Sequence, residues 1–339
     1  MTFRKKLAKA VILLTLLVIS LFPALLAGEY RIKPEQALSL IRSKITGAPA
    51  PDISRAQEVI IWRIRLPRLL LAITAGMALS VSGAAYQGCF RNPLVEPYIL
   101  GVSSGAACGA ALSVIFPHVL PQGQLAAFAF AVAAVFISYS LARNKGQIPP
   151  VALVLSGIIV GALFSALVGI LKYIAADTQL REITFWMMGG LYYATWKDAV
   201  LNLTVVGPVF LMLWYCGWQL NLLSLGDEEA RSLGLSPAVF RFVILIAATL
   251  TAAVCVSICG IIAWVGLMMP HAARMIFGPD HRWVMPGAAM LGAIYLLVCD
   301  TLARTLTPAE IPLGIITSIV GAPYLLWLLR SKGRSMYGV

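Results

Sequence analysis

Two arginines three residues apart, Arg65 and Arg68, bracket a Leu-Pro pair ahead of a long apolar run. Pro67 suits a first helical turn, where its missing N–H costs nothing. A spacing of three puts both guanidiniums on one side. Such a pair either snorkels to lipid headgroups or offers its charge to acidic groups of an external partner. A second cluster reads Leu225, Gly226, Asp227, Glu228, Glu229, Ala230, Arg231, Ser232, Leu233, Gly234, Leu235. Its acids come early and its arginine late, the order a short helix prefers. Gly234 can end that helix, and the leucines supply apolar contacts. The segment is either a loop ornament or a docking knob for a cytoplasmic motor. Asp300 and Arg304, four apart, can pair on one helix face.

Other chemistries lack their residues. No Gly-Lys dipeptide occurs, so the phosphate-cradling loop that needs Gly-Lys-Ser/Thr is missing, and ATP drive must come from a partner. HExxH is absent too, and no catalytic group and no cofactor is expected. The six cysteines are scattered without a CxxC and read as small buried hydrophobes. His118, His271 and His281 are not clustered, so no metal site is expected. No buried chain of Asp, Glu and His appears, which counts against an ion-coupled secondary transporter, the alternative reading. Broken helices that bind ions through carbonyls keep that alternative open.

These residues need elements to hold them, and composition says which. Of 339 residues, 60% are hydrophobic and 12% charged, and the mean hydropathy is +0.87. Soluble domains average about 25% charged, so a soluble enzyme is excluded. Charge, Gly and Pro punctuate ten apolar spans: 8–28, 64–88, 95–116, 123–142, 150–172, 198–217, 238–257, 260–278, 284–303 and 312–330. The expectation is a single transmembrane permease domain over 1–339, with an outer segment at 28–63 and a cytoplasmic loop at 218–237. The run from Ala10 to Ala27 is longer than a signal-peptide core and lacks its cleavage spacing, so it reads as a retained first helix. Ten spans from a cytoplasmic start put both termini inside. Fourteen basic residues then lie inside and twelve outside. Eight of the twelve fall between Arg31 and Arg68, so that segment asks for its own explanation. The net charge of +12 reads as basic loops at membrane ends rather than nucleic-acid binding, because no polar domain could hold such a site.

Helices in lipid pack through small residues. Gly76, Ser80, Gly83 and Ala84 form one small face, and Gly101, Gly105 and Gly109 recur every four. In the fifth span Gly157, Gly161, Ser165 and Gly169 make a ridge that serves either packing or a transport pathway.

At this point the chain resembles a family. Arg65-Leu-Pro-Arg68, Gly83-Ala-Ala-Tyr-Gln87, Arg91-Asn-Pro-Leu-Val-Glu-Pro97 and Leu100-Gly-Val-Ser-Ser-Gly-Ala106 are similar to the FecCD-type permeases. So are Trp186-Met-Met-Gly-Gly190, Gly266-Leu-Met-Met-Pro-His271, Asp280-His-Arg282 and Glu310-Ile-Pro-Leu-Gly314. These permeases are the membrane subunits of bacterial ABC importers for iron-siderophores, haem and vitamin B12. The resemblance implies an all-α polytopic membrane protein with the type II ABC importer permease fold, multi-pass in the bacterial cytoplasmic (inner) membrane. Its implied partners are a second copy of itself, two ATP-binding cassette subunits, a periplasmic or lipoprotein substrate-binding protein, and membrane lipid. Arg65, Arg68 and Arg304 are implied to meet acids on the binding protein, and Leu225–Leu235 to couple to the ATPase. Asn92 and Leu94 are implied to sit near the inner gate. The fifth helix, with Gly157, Gly161 and Ser165, is implied to line the pathway. Its inner mouth, Pro149-Pro150-Val151, is apolar where the corrinoid members are polar, so no gate residue is carried over there.

Overall fold

The computed structural model describes residues 2–28, 30, 32–47, 53–143 and 149–336, the side chains at 45, 328, 329 and 331–336 excepted. Arg31, Lys145 and the side chains of Lys332 and Arg334, all counted above for orientation, lie outside what is described. Among the described residues the regular elements are helices and none is a strand. In order the helices are α1 (Phe3–Leu26), α2 (Pro34–Thr46), α3 (Arg55–Glu58), α4 (Leu66–Phe90), α5 (Val102–Ile115), α6 (Gly123–Ala142), α7 (Pro150–Ile174) and α8 (Asp177–Met188). Then follow α9 (Trp196–Tyr215), α10 (Gly217–Leu225), α11 (Asp227–Ser232), α12 (Pro237–Cys259), α13 (Val265–Phe277), α14 (His281–Thr305) and α15 (Leu313–Met336). Each anticipated span contains one helix. Seven helices among the described residues are long and apolar enough to cross a membrane. Below, the face holding 91–94 and 225–235 is called inner and the face holding 55–68 outer, after the expected orientation.

The spans that fall short do so for a reason. The stretch 95–116 reads as apolar throughout, yet only Val102–Ile115 is α-helical. Ahead of it come a turn at 91–94 and a 3₁₀ turn, Pro97–Leu100, closed by Gly101 at φ 85°. Likewise 260–278 yields only α13, because residues 260–264 are not helical. Trp264 there takes φ 75°, a conformation that burdens any side chain. The two irregular segments meet: the Tyr98 hydroxyl donates to the Ile262 carbonyl at 2.9 Å. A third break joins them, with the Gly190 N–H donating to Cys259 O at 2.8 Å and the Leu313 N–H to Gly189 O at 2.9 Å. Without water at that depth, such cross-bonds replace the lost helical ones.

α4 is the centre of the packing. Its helix, continuous from Arg55 to Phe90, is 83% buried in its apolar window, against 17% for α1 and 33% for α7. It packs on α9, α12, α13 and α14. The small face read from the sequence makes this possible. A Cβ on Gly76 would collide with the Gly292 carbonyl, and one on Gly83 with the Gly266 carbonyl. Gly105 and Gly109 admit the backbone of α6 in the same way, at Phe130 and Ala126. The helix also begins earlier than the expected residue 64. Pro67 lacks an N–H and clashes with the carbonyl four residues back, and Val59–Arg65 widens to a π-helix in which the Leu66 N–H reaches Ile61 O.

α7 presents two different faces. Leu153, Ser156, Gly157, Val160, Phe164 and Val168 face the protein, while Leu155, Ile158, Ile159, Leu163 and Ser165 are exposed. Gly157 is taken up by packing, its missing Cβ making room for Ile99 O. Gly161 lies at the edge, and Ser165 is on the open side. Gly169 has nothing within 4 Å. Gly83→Leu should therefore abolish accumulation of a monodisperse protein in detergent, since overpacking here meets backbone rather than a movable side chain. Gly169→Ala should leave the melting temperature unchanged or slightly raised. Fluorescence-detected size exclusion with a thermal ramp reads both.

Candidate functional site

On the outer face the expected docking arginines turn inward. Arg65, Arg68 and Arg304 are each at least nine-tenths buried. A helix end leaves its last carbonyls without partners, and α1 ends beneath these side chains. Arg65 donates from Nη1 to Leu25 O (2.9 Å) and Leu26 O (3.0 Å) and from Nη2 to Tyr30 O (2.7 Å). Arg304 donates to Ala24 O (2.8 Å) and Ala27 O (2.9 Å). Two cations thus sit at the negative end of the α1 dipole, where charge of that sign is favourable.

The same cluster holds a wholly buried carboxylate. Asp300 lies 2.8 Å from Arg68 Nε and 3.2 Å from Arg304 Nε, the second being the expected (i, i+4) pair. Arg68 Nη1 also donates to both oxygens of Glu310, at 2.8 and 3.0 Å. The guanidiniums therefore tie α1, α4, α14 and the 306–312 loop together and are not offered outward. Their hydrogen-bond partners are not local: they are brought from as far as 280 residues along the chain. Among the described residues between 32 and 63, the exposed cations are Lys33, Arg42, Lys44, Arg55 and Arg63.

On the inner face the knob forms as read. α11 opens with three acids and closes in a Schellman arrangement, with Leu235 N–H to Ala230 O and Gly234 N–H to Arg231 O, both 2.9 Å. Gly234 supplies the required positive φ of 82°. Ala230 and Leu235 anchor the helix, while Leu225 and Leu233 are 62% and 60% exposed beside exposed Glu228, Glu229, Arg231 and Ser232. The inner turn lies close by. Asn92 Oδ1 accepts from the Leu94 N–H at 2.9 Å, and Leu94 is half exposed. A cavity of about 440 Å³ separates this turn from α10 and from the α13–α14 junction.

Arg241 and Asn221 had no site role in the sequence reading. Arg241 on α12 donates to both Asp227 oxygens, at 2.7 and 3.3 Å, and from Nε to Cys89 O at 3.3 Å. Its only sequence signal is a lone charge within an apolar span. Asn221 donates to Asp280 at 2.7 Å and accepts from the His281 N–H at 2.8 Å, joining α10 to α14. The Arg241 hydrogen bond holds the Asp227 carboxyl below its usual range. Burial would raise Asp280, but hydrogen bonds from Arg282 and Asn221 outweigh it and bring it to about 2. Both contributions are therefore full above the ordinary carboxylate pKa and fade only as pH falls below about 4.

Arg68→Ala leaves the buried Asp300 with Arg304 as its one remaining cation and takes the partner from Glu310, a loss of roughly 3–5 kcal/mol. Arg65→Ala leaves only buried carbonyls unmet, roughly 1–3 kcal/mol. Thermal melts in detergent should rank Arg68→Ala as the less stable, and the reverse order would contradict this account of the cluster.

Comparison with known proteins agrees with this architecture. The FecCD transport family model matches residues 14–331. The hemin transport system permease protein HmuU of Yersinia pestis is 46% identical over 289 residues, covering 82% of this chain and 85% of that protein. The molybdate import system permease protein MolB of Haemophilus influenzae is 37% identical over 325 residues, covering 94% and 95%. A solved ABC transporter assigned to the metal-chelate type, in an inward-facing conformation, superposes with a TM-score of 0.85 at 34% identity, covering 95% of this chain and 99% of that one. The chain belongs to the FecCD transport family and is a multi-pass membrane permease subunit of the ABC importer class.

Proposed function

We propose that this chain, paired with a second copy, carries a metal chelate across the cytoplasmic membrane by alternating access, driven by two ATP-binding cassette subunits. A substrate-binding protein delivers the cargo from outside. The observation that carries the reading is the exposed α11 knob, acidic and flanked by two exposed leucines, on the face that also bears the inner turn. It is a built docking surface in a chain with no phosphate-cradling loop of its own.

The open face of α7 supports the rest. An apolar helix surface with Ser165 and Gly169 lies uncovered by the chain itself, as a pathway wall or dimer seam requires. A wall of small and apolar groups holds a bulky chelate weakly, so the cargo can leave as well as enter. Specificity then rests with the binding protein. On the outer face the buried arginine cluster sets the helix ends in place, and the exposed cations of α2 and the 55–63 segment suit an acidic binding protein. The cargo class is iron-siderophore, haem or corrinoid. Hemin import by the Yersinia pestis protein and cobalamin import by a Halobacterium salinarum relative, 41% identical over 283 residues, favour it. The molybdate relative marks an oxyanion as the cargo to exclude.

The test is reconstitution in proteoliposomes with the ATPase and binding protein encoded nearby. ATP-dependent uptake of one ligand among ferric siderophore, haem, cobalamin and molybdate is expected. Deleting 227–232 should release the ATPase from the complex. Retained ATPase binding by the deletion, or uptake that follows an ion gradient without an ATPase, would overturn the reading.

A further inference from the structure

A docking knob transmits force only if it is tied to the parts that move. α11 has six residues and contributes just one fully buried side chain, Ala230. Left to that contact, a push from a partner would bend the loop and go no further. The polar ties around Asp227 change this.

Asp227 is the first residue of α11. Both its oxygens receive Arg241, whose side chain is only 4% exposed. A bidentate guanidinium–carboxylate pair fixes orientation as well as distance. The third N–H of the same guanidinium, on Nε, reaches Cys89 O in the last turn of α4. That carbonyl is one a helix end otherwise leaves unpaired. Arg91 approaches Asp227 as well, at 3.8 Å. Arg91 is the αL cap of α4, with φ 52°, and the next residue is Asn92 of the inner turn.

We infer that Arg241 is the positioning residue that carries displacement of α11 to the end of α4 and so to the inner turn at Asn92–Leu94, with Arg91 as a second, weaker tie. The inference rests on the proposed docking of an ATPase at α11 and deepens it. One planar group holds the coupling helix and the gate-bearing helix at once, so neither moves without the other. Arg91 sits where backbone direction reverses, and a pull there re-aims the turn rather than bending α4. The Arg91 pair is partly exposed and contributes little alone.

The experiment compares substrate imported per ATP hydrolysed in proteoliposomes holding the full complex. In Arg241→Gln the ATPase should still copurify and hydrolyse ATP, while the ratio falls about tenfold, as loss of a charge-assisted pair implies. Arg241→Lys keeps the charge and should recover part of the ratio. A merely structural role would lower import and hydrolysis together at constant ratio, and that result overturns the proposal. Should Arg241→Gln fail to accumulate, the ratio is read on Arg91→Gly, which keeps the αL backbone and removes only the exposed tie. There a drop of about two- to threefold is expected, and a wild-type ratio overturns the proposal. Failure of the docking reading itself shows separately, as ATPase capture by the 227–232 deletion.

Discussion

A bilayer core supplies no water to an unpaired backbone group. Every break in a helix at that depth must be closed by another part of the chain. This chain breaks its helices at 91–101, at 260–264 and around Gly189, and it places those breaks against one another. Tyr98 to Ile262 and Gly190 to Cys259 are the closures. The short helices α5 and α13 start from these breaks.

The same constraint governs helix ends and helix contacts. The last carbonyls of α1 are taken by Arg65 and Arg304. Those cations in turn stand beside Asp300, the one carboxylate among the described residues that is fully buried and shared by two guanidiniums. Where helices cross without polar bonds, missing side chains let the backbones approach, as at Gly76 with Gly292 and Gly83 with Gly266. The result is a stiff centre built on α4, with a softer periphery in α1 and α7.

That contrast suits transport. Motion is cheapest where few buried contacts must break. α7 and the inner loops have such surfaces, and the polar ties of Arg241 and Asn221 decide which of them move together. The two faces use arginine differently. Outside it is consumed in closing helix ends. Inside it joins a surface helix to the core.

Much of this was legible in the residues. Apolar length and Gly/Pro punctuation are local signals, and they located the helices within the ten apolar spans and the knob with its Gly234 stop, but not α2, α8 or α10. The Asp300–Arg304 pair was legible too, because four residues make one helical turn. The roles of Arg65, Arg68 and Arg241 were not. Spacing says which side of a helix a guanidinium leaves from, but its partners are carbonyls and carboxylates 14 to 280 residues away. Whether an apolar run is one helix or a break and a half-helix was equally non-local, since Tyr98 closes on Ile262 across 164 residues. Local pattern determined where the elements lie, and only their packing decided which charges are buried, because burial depends on what the rest of the chain brings alongside.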